Sequence, residues 1–192
     1  MFIQTEATPN PATLKFLPGR VVMESGTFDA RDPAGADGSL LAQRLFAIPG
    51  VAGVFFGYDF ITITKGRSDK GEVEWQHLKP AILGAIMEHF MSGQPVVSAT
   101  VPGSGGDADE EFFEDTDADT VATIKDLLET RVRPAVAGDG GDITFRGYRD
   151  GIVYLAMKGA CAGCPSSTAT LKHGIQNLLR HFVPEVQEVQ QI

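Results

Sequence analysis

The stretch DITFRGYRDGIVYLAMKGACAGCPSSTATL, residues 142–171, changes its periodicity twice. Ile143 and Phe145 alternate with polar neighbours, Arg149-Asp150-Gly151 supplies a tight turn, and Val153, Leu155 and Met157 alternate again, so the first part predicts a β-hairpin. Cys161 and Cys164 follow directly. Pro165 suits the first turn of a helix, and beyond it Leu171, Ile175, Leu178, Leu179 and Phe182 recur at helical steps. Working outward, Val121, Ile124, Leu127, Leu128 and Val132 form a helical face, which Pro134 and then AGDGGD bring to an end. After Pro184, EVQEVQQI reads as a closing strand. The expected order is α-β-β-α-β, a small α+β domain over residues 118–192.

Residues 1–91 predict a second small α+β domain. FIQTE and TLKFLP are strand candidates around the turn-forming TPNPA, and Leu40, Leu41, Leu45 and Phe46 make a helical stripe that stops at IPG. VAGVFFGYDFITITKG reads as a hairpin about Gly-Tyr-Asp. Trp75, Leu78, Ile82, Ile86 and Phe90 mark an amphipathic helix that Pro80 either kinks or begins. His77 and His89 have no cysteine or carboxylate at ligand spacing and read as surface or packing residues.

Between the domains, residues 92–117 break the pattern. Pro, Gly and Ser give way to eight carboxylates from Asp107 to Asp119, without a Lys or Arg among them. Self-repulsion predicts an extended, solvated spacer. Phe112 and Phe113 leave a docking role open.

Hydrophobic residues make up 43% of the 192, enough for ordinary packed cores. No apolar run approaches the ~20 residues of a membrane span. MFIQTEATPNP lacks the basic start and apolar core of a signal peptide, and two cysteines do not make a disulfide framework, so a reducing intracellular setting is expected. A net charge of −9 repels phosphate backbones, which argues against nucleic acid as a partner.

The chemistry lies in the cysteine pair. Glycines at 159 and 163 leave room for a ligand, and the orphan N–H groups at the start of the following helix favour anionic sulfur and predict a lowered thiol pKa. A dithiol redox couple is one reading, although such pairs usually head a helix after a buried parallel strand rather than an antiparallel hairpin. A zinc site is a second, with Asp139, Asp142 or His173 as further ligands. The third draws its missing ligands from symmetry: two chains meeting about a two-fold axis supply four thiolates, the set a [4Fe–4S] cluster takes. An exposed, shared cluster is releasable and suits a carrier.

RVRPAVAGDGGDITFRGYRDGIVYLAMKGACAGCPSSTATLKHGIQNLLRHFVPEV, residues 131–186, resembles the NifU C-terminal (Nfu-type) iron–sulfur scaffold domain throughout, and residues 1 to about 90, with TPNPATLKF, resemble the N-terminal domain that accompanies it. The resemblance implies a non-enzymatic assembly factor with Cys161 and Cys164 as the ligand pair for iron. One [4Fe–4S] cluster per homodimer would be accepted from an upstream donor or assembly machinery and passed to apo iron–sulfur clients. The sequence shows no transit peptide, which sets the expected location in the bacterial cytoplasm, with a mature mitochondrial matrix form second.

Overall fold

Around Gly57-Tyr58-Asp59 the two β-rich runs fold back on each other as β4 (Val51–Phe56) and β5 (Ile61–Lys65), with Phe56 opposite Ile61 and Val54 opposite Ile63. The structure is a computed structural model that describes residues 2–68, 71–98, 111–162 and 165–192. Its chain divides into two units, Met1–Gly106 and Asp107–Ile192.

In the first unit, β1 (Gln4–Ala7) and β2 (Thr13–Leu17) are joined through Asn10, whose carbonyl accepts from Thr13 N at 2.9 Å and whose Oδ1 accepts from Ala12 N at 3.0 Å. With β3 (Phe28–Ala30) they complete a five-stranded sheet ordered β1-β2-β5-β4-β3, every neighbouring pair antiparallel. Three residues are too few to show a period of two, so β3 has no signature in the sequence. A short pair, β6 (Arg67–Ser68) and β7 (Gly71–Glu72), follows β5. The helix α1 (Leu40–Phe46) starts on Ser39, whose Oγ accepts from Ala42 N at 3.1 Å. The long helix α2 (Trp75–Ser92) continues through Pro80 and ends on Gly93 in the left-handed conformation. Its inward stripe is Leu78, Ile82, Ile86 and His89, and it meets a core that includes Phe16, Phe28, Phe56, Leu41 and Ile63. Burying each apolar side chain of this set contributes about 1.5–3 kcal/mol relative to leaving it in water.

In the second unit a 3-10 turn at Asp115–Asp117 leads into α3 (Ala118–Leu127). Pro134 and then AGDGGD are expected to bring the helix to an end; it passes Pro134, as a π-helical turn, Leu128–Val132, and then α4 (Arg133–Gly138), and stops within AGDGGD. The wider π turn shifts the hydrogen-bond ladder just ahead of Pro134, where the ring removes one donor. Gly140, at φ 83°, then lets the chain reverse into β8 (Gly141–Arg149). β9 (Ile152–Gly159) returns antiparallel through Asp150 and Gly151, whose φ values of 52° and 79° are those a primed hairpin turn needs. The helix α5 (Pro165–Phe182) crosses over to β10 (Glu188–Gln191), which lies parallel to β9 and makes the sheet order β10-β9-β8. Ile124, Leu128, Val136, Leu155 and Leu179 are among the residues that fill its core. Phe182, expected on the inward stripe of α5, is instead 44% exposed beneath the guanidinium of Arg131, and Val183 is buried one residue later.

The ends of the segment read as a solvated spacer are packed. Ser39 donates to Val96 O at 2.7 Å and Ser98 N to Gly38 O at 2.7 Å within the first unit, while Phe112 bridges to Gly147 within the second. Asp107, Asp109 and Glu110 lie outside the described residues. No helix among the described residues is long and apolar enough to cross a membrane.

Candidate metal centre

The open end of the β8–β9 hairpin closes on two glycines, Gly141 opposite Gly159. Gly159 has φ 65°, and this left-handed turn redirects the chain past the end of β9. Ala160 N donates to Gly140 O and Ala162 N to Gly159 O, both at 3.1 Å, so the loop is tied back to the hairpin before it reaches α5. Thr168 Oγ1 ties the other side, donating to Cys161 O at 3.0 Å. Cys161 is a free thiol held between these ties. Cys164, the second expected ligand, lies outside the described residues.

The sulfur of Cys161 points inward. The residue is 6% exposed and belongs to the core of its unit. Its seat exists because residue 141 has no side chain: a Cβ there would stand 2.7 Å from Sγ and 2.7 Å from Lys158 O. The expectation of a lowered thiol pKa is reversed for this residue. Burial first, then the nearby carboxylates of Asp139 and Asp142, push the Cys161 thiol up to about 12. It is therefore held as the thiol at neutral pH.

Asp142 is largely buried and committed elsewhere. Arg133 Nε and Nη2 donate to its two oxygens at 2.9 and 3.0 Å, and Ile143 N donates to Oδ1 at 2.8 Å. Arg133 also pairs with Glu129 at 2.7 Å, and these hydrogen bonds raise the pKa of a guanidinium that is already charged. The zinc reading would have to take Asp142 from this fork, and among the described residues no group of three or more His, Cys, Asp or Glu is gathered for a metal. His77 is exposed and His89 is packed in the core, as surface and packing residues are.

Reading along the chain missed Arg133, Gly141 and Thr168 as shapers of this loop. Arg133 reaches Asp142 across the helix-to-strand reversal, and no local spacing announces that contact.

Residues 3–93 match the family described as scaffold protein Nfu/NifU N terminal, and residues 124–190 match the NifU-like domain. Over its whole length the chain is 51% identical to "NFU1 iron-sulfur cluster scaffold homolog, mitochondrial" of Homo sapiens, covering 72% of that protein. It is 50% identical, again over its whole length, to "NifU-like protein 4, mitochondrial" of Arabidopsis thaliana, covering 66% of it. Among solved structures, the solution structure of a NifU-like protein from Saccharomyces cerevisiae aligns at TM-score 0.45 with 31% identity, covering 52% of this chain and 86% of that one. The expected bacterial cytoplasmic location does not stand, because relatives alike along the entire chain are named mitochondrial. Fold-forming residues carry no address of that kind, since targeting signals are read by receptors and not by folding. Both halves of the chain, matched in order to the two domain families, place it in the Nfu/NifU scaffold family.

Proposed function

We propose that the chain carries an iron–sulfur cluster as cargo, bound by Cys161 and Cys164 from each of two copies, and passes it to apo-proteins without catalysing a reaction. The observation that carries this reading is the Cys161 loop: a thiol seated under Gly141, tethered by Thr168, at the junction of hairpin and helix that the family match covers. With only two cysteines per chain, four thiolates require two chains, and four thiolates suit [4Fe–4S]. The mitochondrial names of the relatives support a mitochondrial setting.

A buried sulfur cannot be shared between chains, so loading requires Cys161 to leave its seat and turn outward. Each thiol that binds iron gives its proton to water, which makes loading more favourable as pH rises. Zinc is disfavoured by the commitment of Asp142 to Arg133.

Anaerobic reconstitution with iron and sulfide tests the proposal. Loaded protein should run as a dimer in light scattering with about four irons per two chains, and Cys161→Ser or Cys164→Ser should lose both cluster and dimer. A monomer that retains a full cluster, or a serine variant that still holds four irons, would sink it.

A further inference from the structure

β8 is an edge of its three-stranded sheet, and an edge strand exposes unpaired N–H and C=O groups. Part of this edge is occupied by the chain's own acidic segment. Phe112 forms a parallel bridge to Gly147, with Phe112 N donating to Arg146 O at 3.2 Å and Tyr148 N donating to Phe112 O at 2.8 Å. A bulge falls between Phe145 and Gly147 at the same place. The ring of Phe112 fills the notch that Gly147 leaves: a Cβ there would stand 2.5 Å from the ring. Tyr154 lies against it at 5.0 Å between centroids, and the Arg149 guanidinium sits 5.4 Å from its centre. The preceding Glu111 is paired with Lys125.

These are the components by which sheets bind extended peptides: main-chain hydrogen bonds along an edge, a pocket for one side chain, and flanking charge to set register. The pocket is specific, because an aromatic ring reaches Tyr154 and Arg149 together and a carboxylate one residue earlier meets Lys125. The cis segment is a tethered occupant. Among the described residues it is bridged through Phe112, Phe113 after it is 39% exposed, and its tether holds it at an effective concentration on the order of millimolar.

We propose that the β8 edge and its Gly147 notch form a docking site for an extended segment of a partner protein carrying a carboxylate followed by an aromatic residue, which Glu111–Phe112 fills in cis. The site stands apart from Cys161 and does not depend on the cargo reading.

Fluorescence anisotropy with a dye-labelled peptide of residues 110–115, EEFFED, tests this against the full-length protein. Phe112→Ala, which vacates the notch, should bind the peptide at least tenfold more tightly than the wild type. Adding Gly147→Val to Phe112→Ala should abolish binding, as should replacing the peptide's first Phe by Ala. Equal binding to wild type and Phe112→Ala, binding that survives Gly147→Val, or no binding to a folded Phe112→Ala would overturn the proposal. Should Phe112→Ala fail to fold, millimolar peptide added to the wild type should shift the Gly147 and Tyr148 amide signals; unmoved signals would overturn it equally. A wild-type dimer without cargo that Phe112→Ala dissolves would mean that the edge serves a second copy of the chain instead.

Discussion

The two units place polar chemistry inside their cores in opposite ways. The first buries His89 with neither ring nitrogen hydrogen-bonded, and offers no cysteine at all. The second places a thiol at the rim of its core, beside a carboxylate already paired with arginine, on a loop whose shape depends on glycine. One core offers no soft ligand. The other holds a thiol where its hairpin gives way to the loop. On the proposed reading, holding falls to the second unit, and the first, which has no cysteine, is left to influence delivery.

The largest effect should come from separating the units. Each has its own buried core, so residues 107–192 alone should take up the full iron content on reconstitution and residues 1–106 none. Iron bound to the first piece would break the comparison. Deleting the first unit from the whole chain should leave iron content intact while slowing transfer to some apo-proteins, which single-turnover transfer assays would read.

Gly141→Ala comes next. The added carbon meets both Cys161 Sγ and the Lys158 carbonyl, so the hairpin end must shift, at a cost of about 1–3 kcal/mol. Thermal melting should show the loss, and the iron content of reconstituted protein should fall with it because the seat of Cys161 is disturbed.

Acid should weaken the first unit through His89. Burial, and then the positive charge of Arg44, lower its pKa below the ordinary 6.5, although the backbone of Gln94 and Pro95 works in the opposite direction. The unfolded chain therefore takes up a proton below about pH 6.5 that the folded chain refuses, and stability falls as pH drops from there toward the folded pKa, by at most about 1.4 kcal/mol per pH unit. Above pH 6.5 both states are neutral at this residue and its contribution is constant. Trp75 is the chain's single tryptophan and lies in this unit, so urea melts followed by its fluorescence at pH 7.5 and 5.5 isolate the effect. His89→Leu should remove most of the difference between the two pH values.

The smallest effect should carry the opposite sign. Gly84 lies inside α2 with nothing within 4 Å of the position of an added Cβ, so Gly84→Ala should stabilise the first unit by about 0.4–1 kcal/mol. Read by the same tryptophan, it contrasts a glycine that is merely tolerated with Gly141, whose missing side chain makes room for sulfur.

By itself the sequence determined the order of elements in the second unit, its hairpin turn at Asp150-Gly151, the helix after the cysteines, and the β4–β5 hairpin with α2 in the first. Alternation, helical spacing and turn chemistry are local, so a window of a dozen residues is enough to read them. Where local rules failed, a longer-range term had won: Pro134 was absorbed by a π turn in a helix packed on β8, and Phe182 yielded its buried place to Val183. Only the tertiary structure decided that Cys161 is a buried thiol, because desolvation depends on whatever surrounds the sulfur, and those neighbours come from α4, β8 and the end of β9 as well as from the loop. It also decided that Arg133 holds Asp142, that His89 is sealed in a core, and that Phe112 leaves its acidic segment to fill a notch at Gly147. Each is a meeting of groups that the chain brings together by folding, and a linear reading has no term for their separation in space.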